Sequence, residues 1–137
     1  MNWKKNIYDT LTSCATLCDE AATTASQAKD IENHYRFIFL NLDCADICRQ
    51  VAMLYVRGSE NTRLLAETCI EICEKCVEEA GRVNTDQARQ VVVICLQTIQ
   101  SCVAVLRMDT PADRPMPTVP TPASLFYGID LRETFYN

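Results

Sequence analysis

An all-α chain is expected from three features of these 137 residues. Apolar positions recur three and four apart across most of the length, only 3 glycines and 5 prolines are present, and the nine cysteines themselves fall at helical spacing. The connections between helical stretches are short, and short connections join antiparallel neighbours. An up-down-up-down antiparallel four-helix bundle over residues 1–109 therefore follows, with a Pro-rich C-terminal arm over 110–137. A chain of this length, 48% hydrophobic, builds an ordinary core without disulfides to hold it.

The first helix is expected from about Trp3 to Lys29, with Ile7, Leu11, Cys14, Cys18, Ala21 and Ala25 on its inner stripe. Asp30 is a suitable cap for the second, which runs to about Arg57 and turns Phe37, Leu40, Cys44, Cys48, Val51 and Tyr55 inward. Gly58 then closes that helix and Ser59 opens the third. The third, about Glu60 to Ala80, carries Leu65, Cys69, Cys73 and Cys76 inward and ends at Gly81. Asn84 with Gln87 resembles a capping box for the fourth, which continues through Val91, Cys95, Ile99, Cys102 and Leu106 to about Met108. From Pro111 the prolines prevent helix, and the aromatic residues of Leu125-Phe126-Tyr127 and Phe135-Tyr136 suit a strap lying over the bundle or a neighbouring subunit.

The formal charge of -5 and the lack of a basic stripe exclude a nucleic-acid or anionic-membrane surface. Neither a signal-peptide run after Met1 nor a later stretch of bilayer-spanning length is read from the sequence, so a cytoplasmic protein is expected. Thiols stay reduced in that compartment, and an odd number of cysteines suits full disulfide pairing poorly. Free or metal-bound thiols are the expectation.

The cysteines form CxxxC at Cys14 and Cys18, CxxxC at Cys44 and Cys48, CxxxCxxC at Cys69, Cys73 and Cys76, and a heptad-spaced pair at Cys95 and Cys102. Side chains at those intervals share one helix face, so each run is a stripe of sulfur pointing at the bundle axis. Counting from the Gly58 turn puts Cys14, Cys48, Cys69 and Cys102 at one height. Cys18, Cys44, Cys73 and Cys95 come about one turn further, roughly 6 Å along the axis, and Cys76 lies beyond them. A lone free cysteine is an ordinary small core residue, but nine on the inner stripes of four helices point to a soft metal. Cu(I), which accepts two or three thiolates, suits them better than zinc, which wants a closed tetrahedron.

Leu42-Asp-Cys-Ala-Asp-Ile-Cys48, the Arg57-Gly-Ser-Glu60 turn and Leu65-Ala-Glu-Thr-Cys-Ile-Glu-Ile-Cys-Glu-Lys-Cys76 together resemble the cysteine-rich four-helix-bundle copper-binding proteins, the copper storage proteins. The resemblance covers about residues 3 to 108 and is strongest in the second and third helices. It implies a core that binds many Cu(I) ions, in a homo-oligomer, with copper ions as the partner and no enzymatic reaction. The chain departs from the family pattern at Ala80, Ala88, Val91 and Thr98, where further cysteines are usual, and in the residues 82–87, where the family often places histidines. His34, the lone histidine, is expected at the same end of the bundle as the Arg82 turn, where it is a candidate first ligand for arriving copper or simply an exposed or capping residue.

Other chemistry fits less well. Cys73-Glu-Lys-Cys76 is a CxxC without the strand-to-helix setting that activates a dithiol redox centre. Four thiols at one height would serve an iron–sulfur cluster, but the clustered loop spacing of ferredoxins is missing. Glu67, Glu71, Glu74, Glu78 and Glu79 lie on a solvated face with no Glu-x-x-His partner, and three glycines offer no phosphate loop. A metal-depleted relative that keeps the bundle as an interaction scaffold is the alternative to storage.

Overall fold

The structure, a computed structural model, describes residues 3–108. The Pro-rich arm expected over 110–137 lies outside the described residues. Within them the chain forms four helices, α1 (Trp3–Ser26), α2 (Tyr35–Val56), α3 (Thr62–Ala80) and α4 (Asp86–Leu106), with a 3-10 turn at Ile31–Asn33 and no strand. α1 packs on α2 and α4, and α3 packs on the same two helices, so the four close around a common interior. Along α2 and α3 the pairings run in opposite senses: Arg36 meets Glu79 at 2.7 Å, Cys44 meets Cys73 at 3.6 Å and Cys48 meets Cys69 at 3.8 Å. α3 and α4 oppose each other in the same way, with Arg63 donating to the Leu106 carbonyl and Cys69 lying next to Cys102.

The ends of the helices explain where the sequence reading shifts. α1 stops at Ser26 rather than Lys29, because the Gln27 and Ala28 N–H groups turn back to Thr24 and Ala25 and the helix tightens out of register. Asp30 does not cap α2. It precedes the 3-10 turn instead, its carboxylate meets His34 Nε2 at 3.1 Å, and α2 starts only at Tyr35. At the other end of α2, Gly58 has φ of 68°, and its N–H reaches the Tyr55 carbonyl at 3.1 Å while Ser59 N–H reaches Leu54 at 2.9 Å. That double bond pattern ends a helix on a left-handed residue, and glycine adopts it without a Cβ clash.

Ser59 was expected to open α3, but the helix begins at Thr62 with Asn61 at the cap position. Ser59 braces the approach: its Oγ accepts from Asn61 N–H at 3.1 Å, and its carbonyl accepts from the Thr62 hydroxyl at 2.7 Å. α4 is capped by Thr85, not Asn84. Thr85 is extended and its Oγ1 accepts from Ala88 N–H at 3.0 Å, while the Asn84 side chain is taken up by Arg89.

Contrary to the expectation that no stretch reaches bilayer-spanning length, α4 is long and apolar enough to do so by composition. Its Val91, Cys95, Thr98 and Cys102 face is nonetheless fully buried against the other helices. Of the residues expected inward, Ile7, Leu11, Ala21, Phe37, Val51, Tyr55 and Val91 are buried, whereas Ala25, Leu40, Leu65, Ile99 and Leu106 sit at the edge. Tyr8 is at that edge too, Tyr55 is inside, and Tyr35 is half exposed. Tyr35, Phe39, Leu42, Met53 and Val56 form an exposed apolar stripe down the outer side of α2.

Candidate metal centre

All nine cysteines are free, and each is 0% exposed. Helical spacing is the cause, because residues four apart on α1, α2 and α3 stack on one face and that face is the one turned to the interior. Within single helices the sulfurs of Cys14 and Cys18, Cys44 and Cys48, and Cys69 and Cys73 lie 4.0, 4.0 and 3.9 Å apart. Between helices the approach is as close. Cys14 is 3.9 Å from Cys44 and 4.0 Å from Cys95, and Cys44 is 3.8 Å from Cys95. Cys102 adjoins Cys69, and Cys76 adjoins Cys18, one at each end of the series.

The two separate tiers expected from residue counting are not what forms. Cys14 reaches across to Cys44 and Cys95, which were placed one turn away, at the same range as the sulfurs within a tier. The helices are offset along the axis, so the tiers interleave into one staggered ladder with Cys44 at its centre. Two sets of four, Cys14, Cys44, Cys48 and Cys73, and Cys14, Cys18, Cys44 and Cys95, have all their sulfurs within 4.8 Å of one another and could each hold an ion.

The thiols share protons along this ladder. Hydrogen bonding with Cys18 holds Cys14 well below the usual thiol range, bonding with Cys14 does the same to Cys44, and bonding with Cys102 does so to Cys69. Cys18, Cys48, Cys73 and Cys95 are pushed far above it, chiefly by engagement with Cys14 and further by burial, and Cys102 is raised by Cys69 and then by burial. The pattern is a chain of donors and acceptors in a dry core, where a bare thiolate has no water to solvate it.

The departures from the family pattern are core positions in their own right. Ala80, Ala88, Val91 and Thr98 are all buried, and Thr98 satisfies its hydroxyl by donating to the Ile94 carbonyl at 2.8 Å. Asn41 was not singled out from the sequence. It is fully buried three residues before Cys44 and seven before Cys48, its Nδ2 donates to the Phe37 carbonyl at 2.8 Å, and its Oδ1 has no protein partner. Its register on the cysteine stripe is the signal that would have found it. His34 stands at the end foreseen for it, lining a cavity of about 180 Å³ with Ala21, Phe37, Val83, Thr85 and Gln87.

A closed ring of helices with a sulfur-lined axis sealed from the surface defines a thiol-rich bundle that could hold metal. The model of one protein family, described as copper storage protein, matches residues 2–107. The chain therefore belongs to the copper storage protein family. Among curated proteins, none matches it.

Proposed function

We propose that this chain stores or buffers copper as Cu(I), held by Cys14, Cys18, Cys44, Cys48, Cys69, Cys73, Cys76, Cys95 and Cys102 inside an up-down-up-down bundle. The observation that carries this reading is the unbroken run of sulfur contacts of 3.6–4.0 Å through all four helices. Neighbouring sulfurs at that range can bridge a monovalent ion in twos and threes, and soft thiolates favour Cu(I) over harder ions. Each ion displaces thiol protons, so uptake strengthens as pH rises. Free, reduced cysteines fit the cytosol.

Sulfurs already in contact favour single ions over a cluster that brings its own sulfides. Cys73 and Cys76 are sealed from solvent, which disfavours dithiol exchange, since that needs a thiolate its substrate can reach. The bundle is proposed to carry no enzymatic activity.

Titration of the reduced chain with Cu(I) under anaerobic conditions, in competition with a Cu(I) chelator, tests the proposal. Several tightly held ions per chain are expected, and serine at Cys44, Cys48, Cys69 and Cys73 together should abolish most of the uptake while far-UV circular dichroism stays helical. The buried Ala88, Val91 and Thr98, standing where the family resemblance implies cysteine, favour a second reading: a bundle retained as a scaffold, with the 110–137 arm as its contact. No Cu(I) retained by the reduced protein would decide for that reading.

Self-association fits the exposed stripe on α2, which repeats at heptad intervals through Tyr35, Phe39, Leu42, Met53 and Val56. Asp46 and Arg49 occupy the middle of that stripe. A second copy laid antiparallel across it would bring the Asp46 and Arg49 segment, where Arg49 already pairs with Asp19 of its own chain, against the same segment of the partner, the self-complementary arrangement of a two-fold interface.

A further inference from the structure

The two four-sulfur sets have two members in common, and that overlap has a chemical meaning apart from Cu(I). Cys14 and Cys44, 3.9 Å apart, belong to both; Cys18 and Cys95 complete one set and Cys48 and Cys73 the other. Zn–S bonds of about 2.3 Å place the sulfurs of a tetrahedral site about 3.8 Å apart. Four edges of the first set, at 4.0, 3.9, 4.0 and 3.8 Å, and three of the second, at 3.9, 4.0 and 3.6 Å, are close to that. No separation in either set exceeds 4.8 Å. A planar square of 3.6 Å edge would need diagonals of about 5.1 Å, so each set is three-dimensional, as tetrahedral ligation demands.

We propose that Cys14, Cys18, Cys44, Cys48, Cys73 and Cys95 form a binuclear site for divalent thiophilic ions of the zinc class, in which Cys14 and Cys44 bridge two tetrahedra sharing an edge. Each ion takes both bridging sulfurs and two terminal ones, with the shared Cys14–Cys44 edge drawing in from 3.9 Å to about 3.5 Å so that the ions stand about 3 Å apart. Two M²⁺ and six thiols give a six-thiolate pair of net charge minus two and release six protons. All four helices contribute at least one ligand. Cys69, 3.8 Å from Cys48 and 3.9 Å from Cys73, adjoins the pair without belonging to either set. This site does not depend on copper storage, although Cu(I) would compete for the same sulfurs.

The test is an anaerobic titration of the full, reduced chain with Co(II), whose visible spectrum reports tetrahedral thiolate ligation, and with Cd(II) followed by cadmium NMR. Two ions per chain are expected, with a tetrahedral sulfur spectrum and two cadmium resonances coupled to each other through the shared sulfurs. Cys14→Ser should weaken both ions at least tenfold, Cys48→Ser only one of them, and Cys102→Ser neither. A single ion per chain, a six-coordinate oxygen-type Co(II) spectrum, uncoupled cadmium resonances, or a Cys14→Ser variant that loses only one ion would overturn the proposal. The cadmium coupling is read on the unaltered protein, so a variant that fails to fold leaves the test decisive. A Cu(I) titration run alongside separates the two readings, since either metal can be refused while the other is held.

Discussion

At the scale of single residues, the cysteines act first as packing groups and only then as ligands. Each is wholly buried, in a medium that penalises thiolate wherever no neighbouring S–H is donated to it. Cys18, Cys48, Cys73, Cys95 and Cys102 keep their protons in the fold above the 9.0 of an unperturbed thiol. Their contribution to stability is complete below pH 9.0 and is lost as pH climbs past it, because the unfolded chain then ionises and the folded one does not. Cys14, Cys44 and Cys69 shift the other way, so their contribution is complete above pH 9.0 and is lost as pH falls, which leaves the range above pH 9.0 to the five raised thiols. Thermal melts of the metal-free protein should therefore lose Tm from pH 9 upward, and Cu(I) loading should flatten that decline. Serine variants at the cysteines should stay folded, because Thr98 shows how a hydroxyl on this stripe is accommodated: it bonds back to the carbonyl four residues earlier.

At the scale of elements, the caps are separable from the site and can be tested alone. Removing the Thr85 hydroxyl by Thr85→Ala should cost about 1 kcal/mol, since Ala88 N–H loses its acceptor. Gly58→Ala meets nothing within 4 Å, so its cost is backbone strain alone, roughly 1–2 kcal/mol at φ of 68°. Both should lower Tm in differential scanning calorimetry and leave the number of copper ions bound unchanged. The helices and their inner faces were legible in the sequence, because a spacing of three and four is itself the geometry of a helix face. The caps at 30 and 84 were not. Asp30, Asn84 and Thr85 are all competent capping residues, and the choice among them is made by the 3-10 turn and by Arg89, which no local pattern reveals. The stagger of the sulfurs escaped for a related reason. Spacing fixes the order of cysteines along one helix, while their height relative to the next depends on how the connections 27–34, 57–61 and 81–85 seat the helices.

At the scale of the whole molecule, α2 has two demands upon it. Its inner face carries Cys44 and Cys48, and its outer face exposes Phe39, Leu42, Met53 and Val56. If that outer stripe joins two copies, glutamate at Phe39 or Met53 should reduce the mass seen by analytical ultracentrifugation to that of one chain. Val93→Glu, at an exposed position on α4, should leave the mass unchanged. A wild-type protein that sediments as one chain would exclude the interface.

The complete enclosure of the sulfurs governs kinetics as well as affinity. With every donor atom out of contact with solvent, an ion cannot be pulled away by a competing molecule in a single encounter. Were ions held there, the bundle would have to open locally before exchange, so the tempo of loading and release would belong to the breathing of the scaffold rather than to the strength of whatever waits outside. A reservoir built this way surrenders its contents at a pace set from within.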